Sequence, residues 1–290
     1  QKNLLCQAPT GIGKTAAALF PALKAMGAGL VDAVFYLTAR TTTRLAAQNA
    51  LEKMRDRGLI LRSVTLTARD KICACKGCRC RPDECERAMG YYDRRRAALY
   101  EALDMERLDR PDIEALAEKH ALCPFELSLD LSEIAQVVIC DYNYAFDPWV
   151  KLRRYFMDKG NYALLVDEAH NLPDRAREMY SAQLDETALR ELRREVGKAL
   201  GRKAPLYRCL SGLIRSLDEY LKPLEQPAAL SEKPEGLIKA AGRFVEEARP
   251  LLESAGPLGE PVNLAILEAL CFNRVGEDFA PERYQVMRPK

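Results

Sequence analysis

Apolar positions along the chain follow two periods in turn. Short continuous apolar runs come first: Asn3–Cys6, Val31–Leu37 (VDAVFYL), Ile60–Thr67 (ILRSVTLT), Ile134–Cys140 (IAQVVIC) and Ala163–Val166. Runs of that length, rich in β-branched and aromatic residues, read as strands buried on both faces of a parallel sheet. Helical spacing lies between them: a helix from Lys14 to the Gly27-Ala28-Gly29 stop, Leu45 to about Arg57, Ala88–Glu118, and an amphipathic run ending at Leu131. Strands alternating with helices predict an α/β domain. From about Pro173 the pattern changes. Leu184–Gly201, Leu206–Leu224, Leu237–Ala255 and Leu258–Phe272 read as amphipathic helices, separated by Pro223, Pro227, Pro234, Pro250 and Pro257, with no strand alternation. The tail, Phe279–Lys290, is polar and aromatic with no evident terminator.

One stretch fits neither period. Cys73, Cys75, Cys78, Cys80 and Cys85 crowd together among Gly77, Pro82 and many charges. Without apolar periodicity the segment cannot build a core, so a metal centre is the expected staple. A sixth cysteine, Cys123, precedes Pro124, and Cys-Pro recurs at the closing ligand of iron–sulfur sites. Four thiolates suit either a [4Fe–4S] cluster or a structural Zn²⁺, and spacing alone does not separate them. Cys6 and Cys140 sit in apolar runs, and Cys209 and Cys271 on apolar helix faces, so all four read as core.

Composition narrows the class. A chain of 290 residues, 48% hydrophobic and 30% charged, has room for two domains or one large one. No apolar run would span a bilayer and no secretory leader is evident, so the expected compartment is the cytoplasm, with the nucleoid as neighbour. There ten cysteines point to metal rather than disulfides. The opening at Gln1, almost directly in a strand, reads as a piece of something longer. The net charge of +2 says nothing about partners, so local patches must. Arg69–Arg96 holds nine Lys/Arg against five Asp/Glu, a basic edge suited to nucleic acid or a solvated charged face.

Chemistry concentrates at two motifs. Ala8–Thr15 reads APTGIGKT between an apolar run and a helix. Gly11, Ile12 and Gly13 would turn backbone N–H groups toward a phosphate, at the positive end of the helix dipole. Lys14 would meet the β- and γ-phosphates, and the Thr15 hydroxyl would ligate Mg²⁺. The second motif is Tyr162–Leu172, YALLVDEAHNL. Ligands of α/β sheets collect at the carboxyl ends of strands, which places Asp167 beside Lys14. Asp167 would hold Mg²⁺, Glu168 would orient the attacking water, and His170 would link that site to a bound strand. Thr38, Arg40 and Thr41, at another strand end, suit a nucleic-acid backbone, or simply cap the next helix. Asn143 and Tyr144 suit contacts to bases, or packing under the sheet.

Together these pieces resemble the XPD/DinG (Rad3-type) family of superfamily 2 DNA helicases. The motifs carrying the resemblance are the A-x-x-G-x-G-K-T loop with Ala8 in place of the usual Gly, YLTART, the cysteine insertion and VDEAH. The resemblance implies a RecA-like motor domain (residues 1–70 and 131–173) interrupted by an iron–sulfur domain (71–130) and a helical arch (174–290). It implies ATP, Mg²⁺ and a [4Fe–4S] cluster as cofactors. It also implies 5′–3′ movement on single-stranded DNA and at duplex junctions, with no membrane. Cluster ligands carried over are Cys73, Cys85 and Cys123, with Cys80 second and Cys75 and Cys78 its rivals. No motif of a second motor domain is present, so the expected activity of this piece alone is weak nucleotide binding with little hydrolysis. The alternative reading is a nucleotide-dependent nucleic-acid-binding module with a zinc site and no unwinding.

Overall fold

The structure, a computed structural model, describes residues 3–9, 11–75, 80–157, 160–222, 228–253 and 258–288. The chain divides into two compact units, residues 1–176 and 177–290.

The first unit is built on five strands: β1 (Ala33–Leu37), β2 (Ser63–Thr65), β3 (Arg107–Leu108), β4 (Val137–Cys140) and β5 (Tyr162–Val166). Their order is β3-β2-β4-β1-β5 and every pairing is parallel. Residues of β1, β2 and β4 are buried throughout, as continuous apolar runs in a two-sided sheet demand. Alternation along β1 separates the faces. Val34 and Tyr36 pack with Leu19 and Leu23 of α1 (Lys14–Gly27) and with Ala47 and Leu51 of α2 (Thr41–Arg55). Phe35 turns the other way, into Tyr155, Phe156 and Tyr162, with ring centroids 5.0, 5.1 and 5.5 Å away.

Two sequence expectations are corrected here. Asn3–Cys6 forms no strand, and Leu4, Leu5 and Cys6 are exposed. An apolar tetrapeptide becomes a strand only where a neighbour accepts its ladder bonds, and Asn3–Cys6 pairs with none of the five strands, although β5 leaves one edge open. The expected long helix over Ala88–Glu118 is α4 (Tyr91–Ala102) and α5 (Arg110–Lys119), with β3 between them joining the sheet beside β2. The break has a local cause. The Asp109 side chain accepts from a backbone N–H at the start of α5, the Asp112 carboxylate accepts the Asp109 N–H at 3.0 Å, and Pro111 follows the cap. Gln48 and Thr65 donate to the same Asp109 carboxylate at 2.6 and 2.7 Å, which ties the turn to the sheet.

The helix α3 (Arg69–Ile72) leads into the cysteine segment, and α6 (Pro124–Ile134) leaves it. Asp130 of α6, 7% exposed, accepts from Tyr91 at 2.9 Å and Arg95 at 3.0 Å, pinning α4 to α6. Two short helices, α7 (Asn143–Phe146) and α8 (Arg153–Phe156), join β4 to β5; a 3-10 turn (Ala169–Asn171) and α9 (Leu172–Met179) follow β5.

The second unit is mainly helical: α10 (Glu186–Ala199), α11 (Pro205–Leu221), α12 (Glu235–Ala248) and α13 (Gly259–Glu277). Spacings of three and four residues make one apolar stripe per helix. Leu189, Leu192 and Val196 meet Leu210, Leu213 and Leu217, and these meet Ala241, Phe244 and Val245, then Val262 and Ile266. Asp185 starts α10, its carboxylate accepting from Thr187 and Ala188 N–H. The expectation of no strand here is corrected: Ala228–Leu230 and Val286–Arg288 pair antiparallel. Two three-residue strands leave too few alternating positions to show in sequence. Cys140 is buried as expected, whereas Cys209 and Cys271 are half-buried. No helix among the described residues is long and apolar enough to cross a membrane.

Candidate nucleotide-binding site

The registers Leu37↔Cys140 and Leu37↔Val166 end β1, β4 and β5 at one level. The ladder continues past them: Thr38 N–H donates to Cys140 O at 2.9 Å, and Asp167 N–H to Leu37 O at 3.0 Å. Thr38, Asp141 and Asp167 therefore leave the sheet side by side.

Over this edge runs the glycine loop. Gly11 and Gly13 both have φ of +84°, where an L side chain is strained, although a Cβ at either would meet nothing within 4 Å. Backbone conformation, and not crowding, requires glycine there. Gly13 is the N-cap of α1 and offers no side-chain cap, so the first N–H groups of the helix are left for an anion. Ile12 between the glycines is 62% exposed.

Lys14 and Glu168, remote in sequence, meet at 3.5 Å between Nζ and Oε1. The other Glu168 oxygen lies 3.4 Å from His170 Nδ1. Glu168 sits at φ +52° and ψ +44°, one of two described non-glycine residues with positive φ. The third partner was missed by sequence reasoning. Tyr36, 2% exposed, donates to Thr15 Oγ1 at 3.5 Å and faces Asp167 closely enough to share a hydrogen bond. Burial first, and the Asp167 and Glu168 charges after it, push its phenol well above the usual tyrosine range. Alternation along β1 was the available signal, since Tyr36 lies on the α1 face with Val34. The hydroxyl of Thr15 and the carboxylate of Asp167 thus share one neighbour, and hard oxygen donors of this kind suit Mg²⁺.

The five groups expected at nucleic acid are not alike. Thr38 is 1% exposed, and its hydroxyl bonds the Thr43 hydroxyl and, at 3.4 Å, Arg40 N–H. It ties down the turn before α2, whose N-cap is Arg40. Arg40 and Thr41 are exposed. Asn143 accepts from Arg175 at 3.0 Å. Tyr144 is buried, 6% exposed, so its ring packs under the sheet instead of offering a stacking face.

Among the cysteines, Cys123 is the N-cap of α6, and Pro124 follows it at the first helical position. Burial, with Cys73 nearby, raises its thiol above the usual range. Cys73 lines a cleft of about 420 Å³ with Pro124, Arg87 and Arg110, and its thiol donates to Cys75 O at 3.3 Å. Cys80 is exposed, 4.0 Å from an Arg69 nitrogen, and Cys85 is buried. Cys78 lies outside the described residues. Among the described residues no three His, Cys, Asp or Glu side chains converge as a metal site. The expected set of Cys73, Cys80, Cys85 and Cys123 therefore fits a thiolate-bound metal in donor chemistry, while its placement gathers only Cys73 and Cys123. A segment without apolar periodicity takes its sulfur positions from the metal itself.

Comparison with known proteins is consistent with this geometry. The DEAD_2 family matches residues 38–189, just over half the chain, and the DEAD/DEAH box helicase family matches residues 1–72. A Caenorhabditis elegans regulator of telomere elongation helicase 1 homolog is 35% identical over 126 residues, covering 42% of this chain and 13% of that protein. A Gallus gallus Fanconi anemia group J protein homolog is 36% identical over 97 residues, covering 33% of this chain and 7% of that one. The chain thus spans a small part of these relatives. A solved XPD helicase superposes with TM-score 0.58 at 17% identity, over 98% of this chain and 48% of that one. A truncated XPD gives 0.54 at 19%, over 97% and 78%. The five-stranded parallel sheet with its flanking helices is the RecA-like helicase fold.

Proposed function

Because the chain belongs to the DEAD_2 family, the XPD-like branch of superfamily 2 helicases, we propose that it is the nucleotide-handling part of an ATP-dependent DNA helicase. The observation that carries this is the meeting of Lys14 with Glu168, and of Thr15 with Asp167 through Tyr36, at one edge of the sheet. N–H groups of Gly11–Gly13 and the Lys14 ammonium bind the β- and γ-phosphates. Thr15 and Asp167 hold Mg²⁺, which when bound neutralises phosphate charge. Glu168 orients a water in line with the γ-phosphorus and accepts its proton; the P–O bond to ADP breaks and inorganic phosphate leaves. His170, 71% exposed beside Glu168, is the link toward bound DNA.

The finer reading is 5′–3′ movement on single-stranded DNA and opening of duplex junctions, in the cytoplasm. A second motor domain, carried elsewhere in the same protein, closes the nucleotide site. Residues 71–130 form the iron–sulfur domain and residues 174–290 the arch. Cys73, Cys80, Cys85 and Cys123 would hold a [4Fe–4S] cluster, which would cross-link the insertion. The Cys-Pro start of α6 and the lack of apolar periodicity in the cysteine segment support it. Arg40, Thr41 and Asn143 touch the strand.

The test is ATP hydrolysis by the complete protein, with and without single-stranded DNA. Wild type is expected to show DNA-stimulated turnover, and Lys14→Ala a loss of 100-fold or more. Turnover that survives Lys14→Ala would overturn the assignment.

A further inference from the structure

Glu168 has to aim its carboxylate toward the phosphate loop from a backbone conformation that L side chains rarely adopt: φ is +52° and ψ +44°. Something must hold that turn. Its amide-side neighbour is fixed by the sheet, since Asp167 N–H donates to Leu37 O at 3.0 Å. On the carbonyl side, Asn171 contributes its backbone N–H at 2.9 Å and its side-chain amide at 3.1 Å to Glu168 O. The remaining contact comes from a different strand end. The Tyr142 hydroxyl donates to Asp167 O and lies 3.2 Å from Glu168 O.

Tyr142 is built to hold still. It lies two residues past β4, is 0% exposed, and is the N-cap of α7. On one side of it the Asp141 carboxylate accepts Asn143 N–H at 3.0 Å; Arg175 lies 3.7 Å from Asp141 and donates to Asn143 Oδ1 at 3.0 Å. A ring that only filled space would need no hydroxyl. Here the hydroxyl spans the two peptide units that set the direction of Glu168.

We propose that Tyr142 is a positioning residue for Glu168, its phenol fixing the turn through the carbonyls of Asp167 and Glu168 and so aiming the carboxylate that orients the attacking water. The proposal rests on the reading of Glu168 given above. Tyr142 touches neither nucleotide nor water in this scheme and acts only through the backbone.

A double-mutant cycle on the complete protein tests it, using steady-state ATP hydrolysis with saturating single-stranded DNA. Tyr142→Phe keeps the ring and removes the hydroxyl. It is expected to lower kcat at least tenfold and leave KM for ATP within twofold, with an unchanged melting temperature. In a Glu168→Gln background the same change is expected to cost less than twofold more, because the group it aims is already disabled. A Tyr142→Phe protein with wild-type kcat overturns the proposal, and so does a loss that multiplies with that of Glu168→Gln. Glu168→Gln with undiminished turnover overturns the reading of Glu168 itself and the proposal with it. Tyr142→Phe failing alone leaves that reading standing.

Discussion

The Lys14 ammonium sits 3.5 Å from the Glu168 carboxylate, each about one-third exposed. The cation assigned to the phosphates and the carboxylate assigned to the water therefore neutralise one another across the sheet edge. On the proposed reading, a triphosphate arriving at the loop would compete with Glu168 for Lys14 and free the carboxylate for the nucleophile, coupling binding to activation through one ion pair.

That coupling has a measurable cost. A partly exposed pair of this kind is worth about 0.2–1 kcal/mol. Glu168→Gln removes the competitor and is expected to tighten Mg·ATP binding roughly 1.5- to 5-fold while abolishing most turnover. Equilibrium titration with a fluorescent ATP analogue checks the first effect. Weaker binding by the variant would show that Glu168 does not compete for Lys14.

The buried tyrosines predict an alkaline limit. Burial raises Tyr144 from 10 to about 12, and Tyr142 likewise; Tyr36 and Tyr91 move in the same direction. Between pH 10 and 12 the folded chain keeps protons that the unfolded chain has released, so stability is intact below pH 10 and falls as pH rises. Each such group contributes up to about 2–3 kcal/mol of that loss. Melting temperatures from pH 9 to 12 should fall, and Tyr144→Phe should flatten the slope. Equal slopes for both proteins would contradict the burial argument.

Metal content separates the two readings of the cysteines. Anaerobically prepared protein is expected to be brown, with iron and acid-labile sulfide. Cys123→Ser is expected to lose most of both, and Cys209→Ser, on a helix of the second unit, to lose neither. Colourless protein with one equivalent of zinc would favour the module without unwinding.

The helical unit depends on Phe244, which is fully buried among α10–α13. Phe244→Ala is expected to destabilise that unit by about 3–5 kcal/mol. Urea unfolding followed by circular dichroism would register this, while nucleotide binding stays within twofold. A shift below 1 kcal/mol would mean that the core closes over the gap.

Much of the first unit was legible because its signals are local. Continuous apolar runs marked four of the five strands, and glycine, lysine and threonine in fixed order marked the phosphate loop. β3 was not legible: two residues long, it exists only because the Asp109 cap interrupts a helical pattern and β2 offers an open edge. The Asn3–Cys6 run misled for the opposite reason: it is apolar, yet it joins no strand. Tyr144 was open between two roles until burial fixed it as packing, and the sulfurs stayed undecided because nothing but a metal would order them.

By itself the sequence determined the alternation of elements, the order of the motifs and the type of chemistry they carry, since each depends on residues within a few positions of one another. Only the tertiary structure decided that Tyr36 stands between Thr15 and Asp167, that Glu168 reaches Lys14, and that Tyr142 holds the turn between them. Those contacts depend on strand order and register, which bring the ends of β1, β4 and β5 to one level. Register is settled by packing across the whole sheet, and no local stretch of sequence encodes it.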